Sequence, residues 1–84
     1  MNKKNLLLKI INNTDNIKFK DFISIVESFG FILLRTSGSH NIYFNGEINE
    51  MINIQNYKGE AKSYQIKQFL YLIEKYNLKL GEIK

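Results

Sequence analysis

Apolar residues recur at helical intervals along the first third of the chain. Leu6, Leu7, Ile10 and Ile11 share one face and predict a short amphipathic helix over about residues 3–12. Asn12-Asn13-Thr14-Asp15-Asn16 ends it, because these side chains compete for backbone hydrogen bonds and favour turns. Phe19, Phe22, Ile23, Val26 and Phe29 then form a second, continuous stripe. Gly30 stands where a glycine closes a helix in the left-handed conformation. From Phe31 the period changes. Phe31 to Thr36 is an apolar run that turns polar only at its exit, and it reads as a strand; Asn41 to Phe44 reads as a second. Asn45-Gly46 is the strongest short hairpin signal a sequence can carry. A third strand is expected over Glu47 to Gln55, with Ile48, Ile52 and Ile54 on one face and Asn49, Met51 and Asn53 on the other. Asn56 to Lys62 reads as a loop. Ile66, Phe69, Leu70 and Ile73 mark a last helix that starts near Ser63 and closes near Asn77.

The predicted order is therefore α-α-β-β-β-α. A three-stranded antiparallel sheet with helices packed on one face buries the apolar side of every element, which makes the fold class α+β. The sheet's other face, or its rim, stays free for recognition. A winged helix ranks lower, because it needs a third helix before its wing. Neither repeat nor linker divides the chain, so residues 1–84 are read as one domain, with 1–16 an additional helix and turn and 17–80 the core. Burial alone supplies only about 3–5 kcal/mol net at this size, so stabilisation by a partner is expected.

Composition narrows the chemistry by exclusion. The chain has no cysteine and one histidine, which rules out disulfides and a structural zinc site. Asp15, Asp21, Glu47, Glu50 and Glu60 share no helical or strand spacing, so a two-metal nuclease centre is not expected. Glycine-rich nucleotide loops are absent as well. The expectation is a protein without metal or cofactor. The opening Leu6-Leu7-Leu8 run faintly mimics a secretory leader, but Lys9 breaks it and no small-residue cleavage site follows. No segment reaches membrane-spanning length, and a cytoplasmic protein is expected. The net charge of +4 allows attraction to a polyanion. That charge is nearly all lysine in a chain rich in Ile, Asn, Lys, Tyr and Phe, a balance that an A/T-rich genome also produces.

Candidate chemistry concentrates in Arg35-Thr36-Ser37-Gly38-Ser39-His40, between the first two strands. Histidine is the side chain that exchanges a proton most readily near neutral pH. Arg35, the single arginine, presents a planar fork suited to phosphate, or merely solubilises a strand exit. Gly38 serves the tight turn, or also lets a substrate backbone come close. Ser39 caps that turn or contacts the substrate. Lys58 and Lys62, in the later loop, are the further phosphate candidates, with ordinary hydration as the plainer reading. Tyr43 and Tyr57 could stack on unpaired bases, although aromatic residues in such patterns more often belong to the core.

A helix ending in Gly30-Phe31, a strand ending in Arg35, then Gly38-Ser39-His40, a short strand and a final helix together resemble the HicA family of bacterial toxins. The likeness runs from about Phe19 to Leu78. Leu6-Leu7-Leu8-Lys9-Ile10-Ile11-Asn12-Asn13, Ile52-Asn53-Ile54-Gln55, Lys58-Gly59-Glu60-Ala61-Lys62 and Tyr64-Gln65-Ile66-Lys67-Gln68 are similar to a longer-tailed branch of that family. The resemblance implies a fold similar to a double-stranded RNA-binding domain. It also implies a metal-independent endoribonuclease that degrades messenger RNA and is neutralised by a HicB-like antitoxin. His40 would be the family's catalytic histidine, and Gly38 and Ser39 its motif glycine and serine; together with the residue chemistry above, the expected RNA-binding set is Arg35, Gly38, Ser39, Lys58 and Lys62. Relatives often place a basic residue where this chain has Ser37. Many carry a second histidine where it has Asn41, or Gln55-Asn56. A non-catalytic RNA-binding module, or a degenerate toxin that only binds its antitoxin, are the alternatives.

Overall fold

A computed structural model describes residues 2–80; Met1 and residues 81–84 lie outside the described residues. The elements run α1 (Lys3–Asn12), α2 (Phe19–Ser28), β1 (Ile32–Ser37), β2 (His40–Asn45), β3 (Glu50–Tyr57), β4 (Glu60–Ala61) and α3 (Ser63–Tyr76). The strands form one antiparallel sheet in the order β1-β2-β3-β4. The α+β class and the α-α-β-β-β-α order hold. The sheet has four strands rather than three, because part of the expected loop at 56–62 folds back as a hairpin. Tyr57 pairs with Glu60 across Lys58-Gly59. Both of those residues take positive φ, 53° and 85°, as a two-residue turn between strands demands.

Each helix ends for a local reason. Asn2 caps α1, its Oδ1 accepting from the Asn5 amide at 2.8 Å. Gly30, at φ +93°, follows the last residues of α2. The end of α3 takes its left-handed residue from Asn77, φ 52°. The buried stripe of α2 is Phe22, Ile25 and Val26, so the helix is turned slightly from the expected face, and Phe19 and Ile23 sit at its margin. In α3, Ile66, Phe69 and Leu72 are buried, with Leu70 and Ile73 alongside.

The core lies between the helices and one face of the sheet. Phe69 is its hub. Phe22, Phe29 and Phe31 meet its ring edge-on, with centroids 5.4, 5.6 and 5.8 Å away. Ile52 and Ile54 of β3 and Tyr43 of β2 close this core from the sheet side. Tyr43 therefore cannot stack on a base, and that expectation is corrected: its position alternates with the half-buried Ile42 and Phe44 of the other face, and the helix side claims it.

The Asn45-Gly46 hairpin also differs from expectation. Asn45 pairs with Glu50, leaving a four-residue loop at 46–49. Asn45 is buried and works as a tie rather than a turn residue. Its Nδ2 donates to the Phe29 carbonyl at 3.1 Å, and its Oδ1 accepts from the Glu47 amide at 2.9 Å. A buried amide must satisfy such bonds. The third strand consequently starts at Glu50, and Ile48 packs on the core from the loop.

Candidate functional site

The β1–β2 hairpin is built on Ser37 paired with His40, with Gly38 and Ser39 between them. Gly38 has φ +60° while Ser39 keeps a negative value, the arrangement of a turn that needs glycine at its first central position. A Cβ on Gly38 would meet nothing within 4 Å, so backbone conformation rather than crowding requires the glycine. The hairpin tip is tied down from β3. The Asn56 amide donates to the Ser39 carbonyl at 2.9 Å. Asn41 Nδ2 donates to the Ile54 and Ser39 carbonyls at 3.2 and 3.3 Å, and its Oδ1 accepts from the Thr36 hydroxyl at 3.0 Å. Asn41 thus holds the turn.

Strand register decides which side chains share a surface. Tyr43, Asn45, Ile52 and Ile54 are buried on the helix side, so the alternating positions face the opposite, uncovered side. That face is laid out in rows. Ile32, Phe44 and Met51 form one; Arg35, Ile42 and Asn53 the next; Ser37, His40 and Gln55 the third. Tyr57 extends β3 beyond Gln55. A bulge at Leu34 restores the register so that Arg35, rather than its neighbour, falls opposite Ile42. Arg35, Asn53 and Tyr57 are therefore the diagonal neighbours of His40, about 7–8 Å away between backbones and within reach of long side chains. None of these three rows contains a carboxylate.

His40 is exposed at the start of β2, and its Nδ1 lies 3.2 Å from Asn53 Oδ1. An amide oxygen only accepts, so in this contact Nδ1 is the donor. β3 is anchored beneath it: the Gln55 amide, left without a strand partner, donates at 2.8 Å to Oε1 of the buried Gln65 in α3. Lys58 and Lys62 converge on Tyr57, their Nζ atoms 5.4 and 4.8 Å from the ring centroid. Of the residues expected from sequence, Arg35, Gly38, Ser39 and His40 thus lie together on and beside one hairpin. The two lysines gather at the adjoining β3–β4 turn. The sequence does not point to Asn53 as a site residue, and it marks Asn41 only as a departure from the family pattern. Their contacts follow from cross-strand register, for which a linear pattern holds no signal.

Among the described residues no group of three or more His, Asp or Glu side chains could hold a metal ion. No helix among them is long and apolar enough to cross a membrane. A shallow cleft lined by Lys3, Lys4, Glu27, Glu47 and Lys79 opens at the opposite end of the β1–β2 hairpin, and its mixed charges select no ligand.

No curated protein and no solved structure matches the chain. A family profile described as "HicA toxin of bacterial toxin-antitoxin" matches residues 19–75, from the first residue of α2 almost to the last of α3, leaving α1 outside the match. That span covers well over half of the sequence and includes the whole sheet with the hairpin carrying His40, so the chain belongs to the HicA family of toxins.

Proposed function

We propose that this protein is a metal-independent endoribonuclease toxin that cleaves messenger RNA, with His40 as its general base, and that a HicB-like antitoxin neutralises it. The observation that carries the reading is the Asn53–His40 contact. It orients the imidazole at an exposed position with Nδ1 donating, so that in the neutral ring Nε2 is the proton acceptor, and the sheet rows through Arg35 and His40 hold no carboxylate. Nε2 takes the proton of a ribose 2′-hydroxyl. The resulting oxygen attacks the adjacent phosphorus, the 5′-oxygen departs, and a 2′,3′-cyclic phosphate and a 5′-hydroxyl are formed. A positioned base of this kind contributes about 10²–10⁴-fold. With one histidine in the chain, the proton for the departing oxygen comes from a lysine, a tyrosine or water.

Arg35, Lys58 and Lys62 hold phosphates in this reading, while Gly38 and Ser39 let the RNA backbone approach the hairpin. Protein docking has its own support in β1. Ile32, Leu33 and Leu34 are 60, 47 and 52% exposed on an edge strand, an arrangement soluble proteins usually avoid unless a partner covers it.

The test is inducible expression of wild type and His40→Ala, with growth and RNA integrity read together and the antitoxin supplied in a parallel culture. Wild type should arrest growth and cut RNA, and either His40→Ala or the antitoxin should abolish both. Cleavage by purified protein should persist in excess chelator. RNA binding without cleavage by wild type would make the chain a non-catalytic binding module. Full toxicity in a folded His40→Ala protein would remove His40 from the mechanism.

A further inference from the structure

Tyr57 is half exposed at the end of β3. The register that sets His40 opposite Gln55 makes it the second β3 diagonal neighbour of the histidine, the counterpart of Asn53. Two ammonium groups lie within 5.4 Å of its ring centroid. One of them belongs to Lys58, which holds a left-handed conformation that asparagine or glycine adopts more easily. Asn56 supports that turn, its Oδ1 accepting from the Gly59 amide at 2.8 Å. Glu60 is the one carboxylate paired across from Tyr57, and the two lysines outnumber it. An exposed π-face flanked by cations is the recurring seat for an unpaired base and its phosphates.

We infer that Tyr57, with Lys58 and Lys62, seats the nucleotide next to the scissile bond, the base stacked on the ring and the lysines on the flanking phosphates, so that the substrate is single-stranded RNA. This rests on the nuclease reading of His40. The ring and the imidazole stand one diagonal apart on the same face, which places a stacked base beside the phosphate that His40 serves. The lysines now resting against the ring move onto phosphate when a base takes their place. A duplex cannot use this seat, since its bases already stack on one another.

The experiment measures binding separately from cleavage. The full chain carrying His40→Ala, so that RNA survives, is titrated with a fluorescent single-stranded oligouridylate and with an RNA duplex of equal length. Adding Tyr57→Ala should weaken single-strand binding roughly 5- to 150-fold, the effect of losing one stacked base. Tyr57→Phe, which keeps the π-face and loses the hydroxyl, should bind within about twofold of the parent. A series of single-strand probes, each with one base removed, tests the same contact without altering Tyr57, and one position should reproduce the loss. Unchanged affinity for Tyr57→Ala and for every abasic probe would overturn the inference while leaving the nuclease reading in place. So would a Tyr57→Phe defect as large as that of alanine, which would assign the role to the hydroxyl. Weakened antitoxin binding with RNA affinity intact would transfer the patch to the protein partner. If neither RNA form binds the folded protein, the nuclease reading fails and the inference falls with it.

Discussion

The two faces of the sheet use the same kinds of residue to opposite ends. On the helix side, Phe22, Ile25, Ile54, Ile66 and Phe69 are completely buried. On the other side and along the β1 edge, Ile32, Leu33, Leu34 and Met51 are each about half exposed or more. α2 and α3 lie over β3 and β4 and stop short of β1, so an apolar residue on β1 gains little from folding. Stability is concentrated where the helices reach, and the residues proposed for recognition and catalysis lie on the part they leave bare. The lesson is a separation of labour: substitutions on the covered face should act through folding, and those on the open face through binding or catalysis.

The severest challenge to this separation is Phe69→Ala. Removing a buried aromatic costs about 3–5 kcal/mol, which is comparable to the whole net stability of so small a domain. The chain should lose its cooperative thermal transition by circular dichroism, and activity with it. A stable, active Phe69→Ala protein would show that the core is not centred on this ring. His40→Ala should produce the reverse pattern, with cleavage reduced about 10²–10⁴-fold and the melting temperature nearly unchanged, because the ring is exposed and its one side-chain hydrogen bond among the described residues is to Asn53. A large drop in melting temperature would place His40 in the structural half instead.

Leu34→Ala and Ile52→Ala reduce the comparison to one aliphatic side chain in each region. At an exposed bulge the change should stay within about 0.5 kcal/mol, whereas Ile52→Ala on the covered face should cost about 2–5 kcal/mol. Urea titrations of the two variants measure the difference directly. If the open apolar strand serves the antitoxin, only Leu34→Ala should weaken the complex while leaving the free toxin's stability intact.

The smallest expected effect comes from alkali and belongs to the covered side. Burial, with help from the nearby charge of Glu27, raises the Tyr43 phenol above its usual value. The hydrogen bond to Glu50, 2.6 Å long, does the same for Tyr76. A raised folded value means that the folded state keeps these protons longer than the unfolded chain does. Their contribution is therefore complete below about pH 10 and is lost as pH rises through the raised values. Denaturation followed between pH 8 and 11 should show stability level and then falling, with a shallower fall in Tyr43→Phe. A fall that begins well below pH 9 would have another origin.

The sequence by itself determined every element except the short β4, and their order, because helical stripes, a shift to strand-like runs and glycine or asparagine at helix ends are local signals. It also placed Gly38-Ser39-His40 at a tight turn, since a positive φ at that point calls for glycine whatever surrounds it. The site beyond the hairpin was less legible. Asn45-Gly46 reads locally as a turn, yet burial against the end of α2 recruits Asn45 as a tie and moves the turn onward. Tyr43 and Tyr57 are both tyrosines in strands, and only the side on which α2 and α3 settle sends one into the core and leaves the other at the surface. The partnership of His40 with Asn53 depends on how β2 slides against β3, where a shift of one residue would turn every side chain of the strand to the other face. Register and helix placement are set by long-range burial, and that was decided by the tertiary structure alone.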